Sequence, residues 1–77
     1  MNNVTKRQTC LKRTYEFIKT YGPVDSKTIR YEVGKYYKNG IMMGEMKSYL
    51  TELHGKGMIE SVGLTKEHRS NIWMVRE

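Results

Sequence analysis

The sequence predicts an α+β domain in which three helices precede a two-stranded antiparallel hairpin. Three observations lead there. Apolar residues recur at helical spacing in three separate stretches between Lys6 and His54. Turn-forming residues punctuate those stretches at Gly22-Pro23, Asn39-Gly40 and Gly55-Lys56-Gly57. Beyond the last of these, residues 58–62 and 71–75 are short, β-branched or aromatic, and separated by a polar run, as in a hairpin.

Each element follows in order. Residues 1–5 are polar and expected to fray. Lys6 to Tyr21 reads as the first helix, with Leu11, Tyr15 and Ile18 as its buried stripe and Thr14, Phe17 and Tyr21 flanking it. Lys12, Arg13, Glu16 and Lys19 fall off that stripe. Gly22 is expected to take a left-handed cap, and Pro23 cannot continue the helix. Val24 reads as a short extended residue before Asp25, whose carboxylate is placed to cap a second helix.

That helix starts near Ser26 and buries Ile29 and Val33, with Tyr36 or Tyr37 at the following turn. It ends at Gly34 or runs on to Lys38, and Asn39-Gly40 makes a turn in either case. The third helix is expected from about Ile41 to His54. At about 100° per residue, Met42, Met43, Tyr49, Leu50 and Leu53 all lie within roughly 60° of Met46, and the stripe is read as core. Gly55 and Gly57 stop it, and residues 63–70 form the hairpin's polar turn.

At 77 residues the chain reads as one domain with a single modest core. It contains no repeat, linker or low-complexity segment. No apolar run approaches the roughly 20 residues that span a bilayer, and residues 1–10 lack a secretory signal's apolar stretch. Cytoplasm, or the nucleus of a eukaryotic host, is the expected location. Cys10 is the lone cysteine, which excludes an internal disulfide and suits a small apolar position on a helix. With only His54 and His68 besides, no ligand pair has metal spacing, and no cofactor is expected. No catalytic triad, phosphate-cradling loop or paired carboxylates emerge, so an enzyme is not expected.

The formal charge is +6, which favours an anionic partner. Residues 1–39 carry nine Lys/Arg against three acids, and residues 40–77 carry five of each, so the whole excess lies in the first half.

Tyr49 to Glu60, reading YLTELHGKGMIE, resembles a passage of the winged helix-turn-helix family, and Asp25-Ser26-Lys27-Thr28-Ile29 is similar to its entry to the second helix. The resemblance covers residues 6–75 and implies a winged helix that binds double-stranded DNA, as a monomer or homodimer. The third helix would then enter the major groove and the wing would touch a flanking groove or phosphates. Carried over residue by residue, the outward face of the third helix is Gly44, Lys47, Ser48, Thr51 and Glu52, with Gly55 at its end. Lys47, Ser48 and Thr51 would meet base edges. Lys66, His68 and Arg69 would form a basic wing tip, and Ser26, Lys27 and Arg30 would anchor phosphate where helix N–H groups favour it. The implied role is a small transcriptional regulator of bacterial, archaeal or viral origin.

Two features pull the other way. Base-reading helices usually present Arg, Asn, Gln or Lys, yet here only Lys47 has reach, and Glu45 and Glu52 flank the face. Its centre is small, which equally suits a protein docked against the helix. A protein-interaction winged helix, such as a small viral factor binding a host protein, is therefore the alternative, with RNA binding behind it.

Overall fold

The computed structural model describes residues 5–67 and 69–76. Among them are three helices and a three-stranded antiparallel sheet: α1 (Lys6–Tyr21), β1 (Val24–Asp25), α2 (Ser26–Gly34), α3 (Met43–Gly55), β2 (Ile59–Leu64) and β3 (Asn71–Val75). The α+β class is as the sequence predicts.

Thr5, expected to fray, is instead the N-cap of α1. Its hydroxyl accepts from the Gln8 N–H at 3.1 Å, while the Gln8 side chain accepts from the Thr5 N–H at 3.0 Å, a reciprocal capping box. Residues 1–4, also expected to fray, lie outside the described residues. The buried stripe of α1 is rotated by one position from the expected one. Cys10, Thr14 and Ile18 are buried, whereas Leu11, Tyr15 and Phe17 are half-buried and Tyr21 is 65% exposed. The reason is packing: α1 lies against both α2 and α3, and the small Cys10 and Thr14 permit close approach where larger apolar groups would not fit.

Gly22 ends α1 in extended rather than left-handed conformation, at φ −61° and ψ 155°. Glycine is needed for a different reason, because a Cβ there would lie 2.5 Å from the Ile18 carbonyl oxygen. The next two residues form β1, which pairs antiparallel with β3 at Val24–Trp73 and Asp25–Ile72. The sheet order is β1-β3-β2, so it has three strands where the sequence predicts two. Two residues carry too little periodicity to announce a strand, and the pairing is made far along the chain.

α2 starts at Ser26 with Asp25 as its cap and buries Ile29 and Val33. Tyr37 is half-buried after it, while Tyr36 is exposed. α3 starts later than expected. Its N-cap is Met42, which is 71% exposed, and Met43 is 40% exposed, so neither belongs to the core stripe. Ile41 occupies the buried place instead, and the first turn of α3 projects past the core. Met46, Tyr49, Leu50 and Leu53 are buried as expected.

At the other end of α3, Gly57 takes the left-handed φ of 73°. The Met58 N–H donates to the Leu53 carbonyl at 3.0 Å and the Gly57 N–H to the His54 carbonyl at 2.9 Å, which is a Schellman ending. It turns the chain into β2, whose Ile59 joins the core cluster that also holds Trp73. Val62 makes a bulge in the β2–β3 ladder, between Ser61 opposite Trp73 and Gly63 opposite Ile72. β2 runs two residues beyond the expected strand end, which shortens the turn to 65–70.

Candidate functional site

The outward side of α3 carries Gly44, Lys47, Ser48, Thr51 and Gly55, all exposed. The Thr51 hydroxyl donates to the Lys47 carbonyl at 2.8 Å, a backbone bond common to helical threonines. Lys47 is the cation of longest reach on this face.

The flank of α3 nearest α1 holds Glu45, Glu52 and Lys56, and each carboxylate there meets a base. Glu45 accepts from the Tyr49 hydroxyl at 3.1 Å and lies 3.7 Å from the Lys6 ammonium. Burial is the main cause raising the Tyr49 phenol's pKa, so it stays a donor. Glu52 accepts from Arg7 Nε at 3.0 Å and Nη2 at 2.7 Å, and its other oxygen is 3.2 Å from Lys56 Nζ. Hydrogen bonds from Arg7 and then Lys56 hold the Glu52 carboxyl below its usual range.

Arg7 Nη1 also donates to the Ser48 hydroxyl at 3.1 Å, and its guanidinium sits 5.2 Å from the centre of the Tyr49 ring. The first turn of α1 thus contributes two cations to the border of the α3 face. Arg7 is not among the site residues that the sequence predicts. Its partners are 41 and 45 residues away, and the only local sign was an adjacent basic pair at the start of a helix.

The start of α2 is built differently from the expected phosphate anchor. The Ser26 side chain is buried, accepts from Trp73 Nε1 at 2.8 Å and donates to the Asn71 carbonyl at 3.3 Å. Its hydroxyl therefore joins α2 to β3 and is covered. The Asp25 carboxylate accepts from the N–H groups of Lys27 at 3.2 Å and Thr28 at 3.3 Å, and from the Thr28 hydroxyl at 2.6 Å. The helix N–H groups that were to favour phosphate already hold an anion. Burial raises the Asp25 pKa, but hydrogen bonds from the Thr28 hydroxyl and the Thr28 and Lys27 N–H groups outweigh it and bring it below 3.8. Arg30 is half-buried and donates from Nη1 to the Ile41 carbonyl at 3.2 Å, tying α2 to the connection before α3. Lys27 is exposed.

In the hairpin turn, Lys66 and Arg69 are exposed. The Arg69 N–H donates to the Thr65 carbonyl at 3.0 Å, and its φ of 51° is left-handed. The Ser70 N–H donates to the Thr65 hydroxyl at 3.1 Å, closing the turn. His68 lies outside the described residues. The Ser26–Asn71 bond brings the start of α2 beside the turn end of β3, so Lys27 and the turn belong to one end of the molecule.

Among the described residues, no group of three or more His, Cys, Asp or Glu is placed to hold a metal ion, and no helix is long and apolar enough to cross a membrane. No protein-family model matches the chain, and no curated protein matches it in sequence.

Proposed function

We propose that the chain is a small winged-helix protein that binds double-stranded DNA and acts as a transcriptional regulator. Three helices followed by a hairpin, with β1 added to the sheet, are consistent with that fold. The observation that carries the reading is the pairing of Glu45 with Lys6 and of Glu52 with Arg7 and Lys56. The carboxylates beside α3 were the main electrostatic objection to a groove-binding helix, and each has a cation against it. Three bases to two acids leave this flank positive.

In this reading α3 enters the major groove, with Lys47 and Thr51 toward base edges and Lys27, Lys66 and Arg69 on phosphates. Ser26 and Arg30 support the fold instead. The test is a gel-shift titration against random-sequence duplex at two salt concentrations. Replacing Lys66 and Arg69 together by alanine should weaken binding to all sequences alike and lower the salt slope by up to about two. A parent protein without salt-dependent duplex binding would overturn the reading.

A second reading, docking of a protein partner on α3, is favoured by the exposed Met42 and Met43 beside the small-residue face. It predicts a complex insensitive to the Lys66 and Arg69 changes.

A further inference from the structure

We propose that Arg7 is a phosphate-contacting residue that α1 lends to the α3 face, held ready by Glu52, Ser48 and the Tyr49 ring. The proposal rests on the DNA-binding reading above and adds to it a residue from outside the three regions it draws on.

An arginine has five N–H donors in a rigid planar fork. Three of those on Arg7 are engaged, two by Glu52 and one by Ser48. Two donors remain, on a side chain that is 45% exposed. The ring of Tyr49, itself buried, lies 5.2 Å from the guanidinium. Contacts from three side chains fix where those donors point, so less conformational freedom is lost when an anion binds.

Ser48 is on the outward side of α3 and Glu52 on its α1 flank, so a guanidinium bonded to both stands where face meets flank. A helix about 10–12 Å across nearly fills a major groove about 12 Å wide. Its flanks then lie along the phosphate strands, while its outward side meets the bases. Arg7 on one flank would face one strand, and bidentate contact with phosphate suits its fork.

Glu52 has two effects in this arrangement. It orients Arg7, and it cancels part of the positive charge that a phosphate would feel. Removing its charge alone should therefore strengthen binding, while removing Arg7 should weaken binding beyond merely uncovering Glu52. A four-protein cycle separates these effects: the parent, Glu52→Gln, Arg7→Ala and the double variant, each titrated with random-sequence duplex across a salt series. Thermal melts check that each is folded.

Glu52→Gln is expected to bind more tightly than the parent. Arg7→Ala is expected to lose roughly threefold or more in affinity at low salt, and about one unit of salt slope, in both backgrounds. If the double variant matches Glu52→Gln in affinity and slope, Arg7 only neutralises Glu52 and the proposal falls. That failure is distinct from failure of the DNA reading when the parent binds duplex and the Lys66/Arg69 double alanine variant weakens it. If the parent shows no salt-dependent binding, both fall together. Should Arg7→Ala melt early, Arg7→Gln provides the second measurement: it keeps a donor for Glu52 and Ser48, removes the charge, and is expected to lose the same slope.

Discussion

The N-termini of α2 and α3 solve one problem in opposite ways. Every helix begins with N–H groups that have no partner within the helix. At α2, Asp25 supplies a carboxylate to two of them and to the Thr28 hydroxyl. At α3, the N-cap is Met42, which offers no side-chain hydrogen bond and is exposed with Met43. The first helix end is locked by its own sequence. The second is held by packing further along, through Met46, Tyr49, Leu50 and Leu53. α2 is therefore stabilised at its start and α3 along its buried face, and the two starts differ in what they offer an anion.

The largest effect is expected at Leu50, which is buried at the centre of the core-facing side of α3. Leu50→Ala is expected to destabilise the domain by about 2–5 kcal/mol. A denaturation midpoint equal to the parent's would mean α3 is not held by that face. Next comes the cap of α2. Asp25→Ala is expected to cost about 0.5–2 kcal/mol, and Asp25→Asn much less, since an amide oxygen still accepts from N–H groups. Equal losses for the two, measured by urea unfolding near neutral pH, would show that charge rather than hydrogen bonding matters there.

The Asp25 carboxyl titrates below its ordinary value of 3.8 in the folded chain. Its stabilising effect is complete above the unfolded value and is lost as pH falls through the folded one. The parent should therefore lose stability below about pH 4 to a degree that Asp25→Asn does not. Unfolding midpoints that fall in parallel for both proteins would place that acid sensitivity elsewhere. The smallest expected effect is at Met42. Met42→Ser gives α3 the cap it lacks and should stabilise by about 0.5 kcal/mol. A lowered melting temperature would show instead that the exposed methionine packs usefully in solution.

The same contrast explains what could be read from the chain. The bounds of α1 and the start of α2 are set by signals within a few residues, namely Gln8 three residues past Thr5, Gly22-Pro23, and Asp25 before Ser26, whereas the end of α2 has no such signal and Gly34 or Lys38 fits the sequence equally. Such local chemistry is visible in a linear sequence. The start of α3 has no side-chain cap, so the sequence offers only apolar periodicity there, and periodicity cannot tell an exposed Met42 from a buried one. Periodicity centres the α1 stripe on the larger Leu11 and Tyr15, leaving Cys10 as a small apolar helix position and Thr14 at the flank, whereas the buried line runs through Cys10, Thr14 and Ile18 because the constraint there is size. At the candidate site, Lys27, Lys47, Lys66 and Arg69 emerged as exposed cations. Ser26 and Arg30 carry structural bonds to Asn71, Trp73 and Ile41, and Arg7 joins α3. Those contacts depend on how the helices cross, which no short window encodes.

The bond from Trp73 to Ser26 has a use in the laboratory. Trp73 is the single tryptophan of the chain. It is buried, donates its indole N–H to α2 from β3, and has the His54 ring 5.7 Å away at a 62° tilt. Its fluorescence therefore reports the junction where sheet, α2 and the end of α3 meet, with no added label. Far-ultraviolet circular dichroism, by contrast, is dominated by the helices. Coincident denaturation curves from the two signals would mean that the hairpin and the helices unfold as one cooperative unit. A fluorescence transition at lower denaturant would mean that the hairpin opens first, with the helices still assembled behind it.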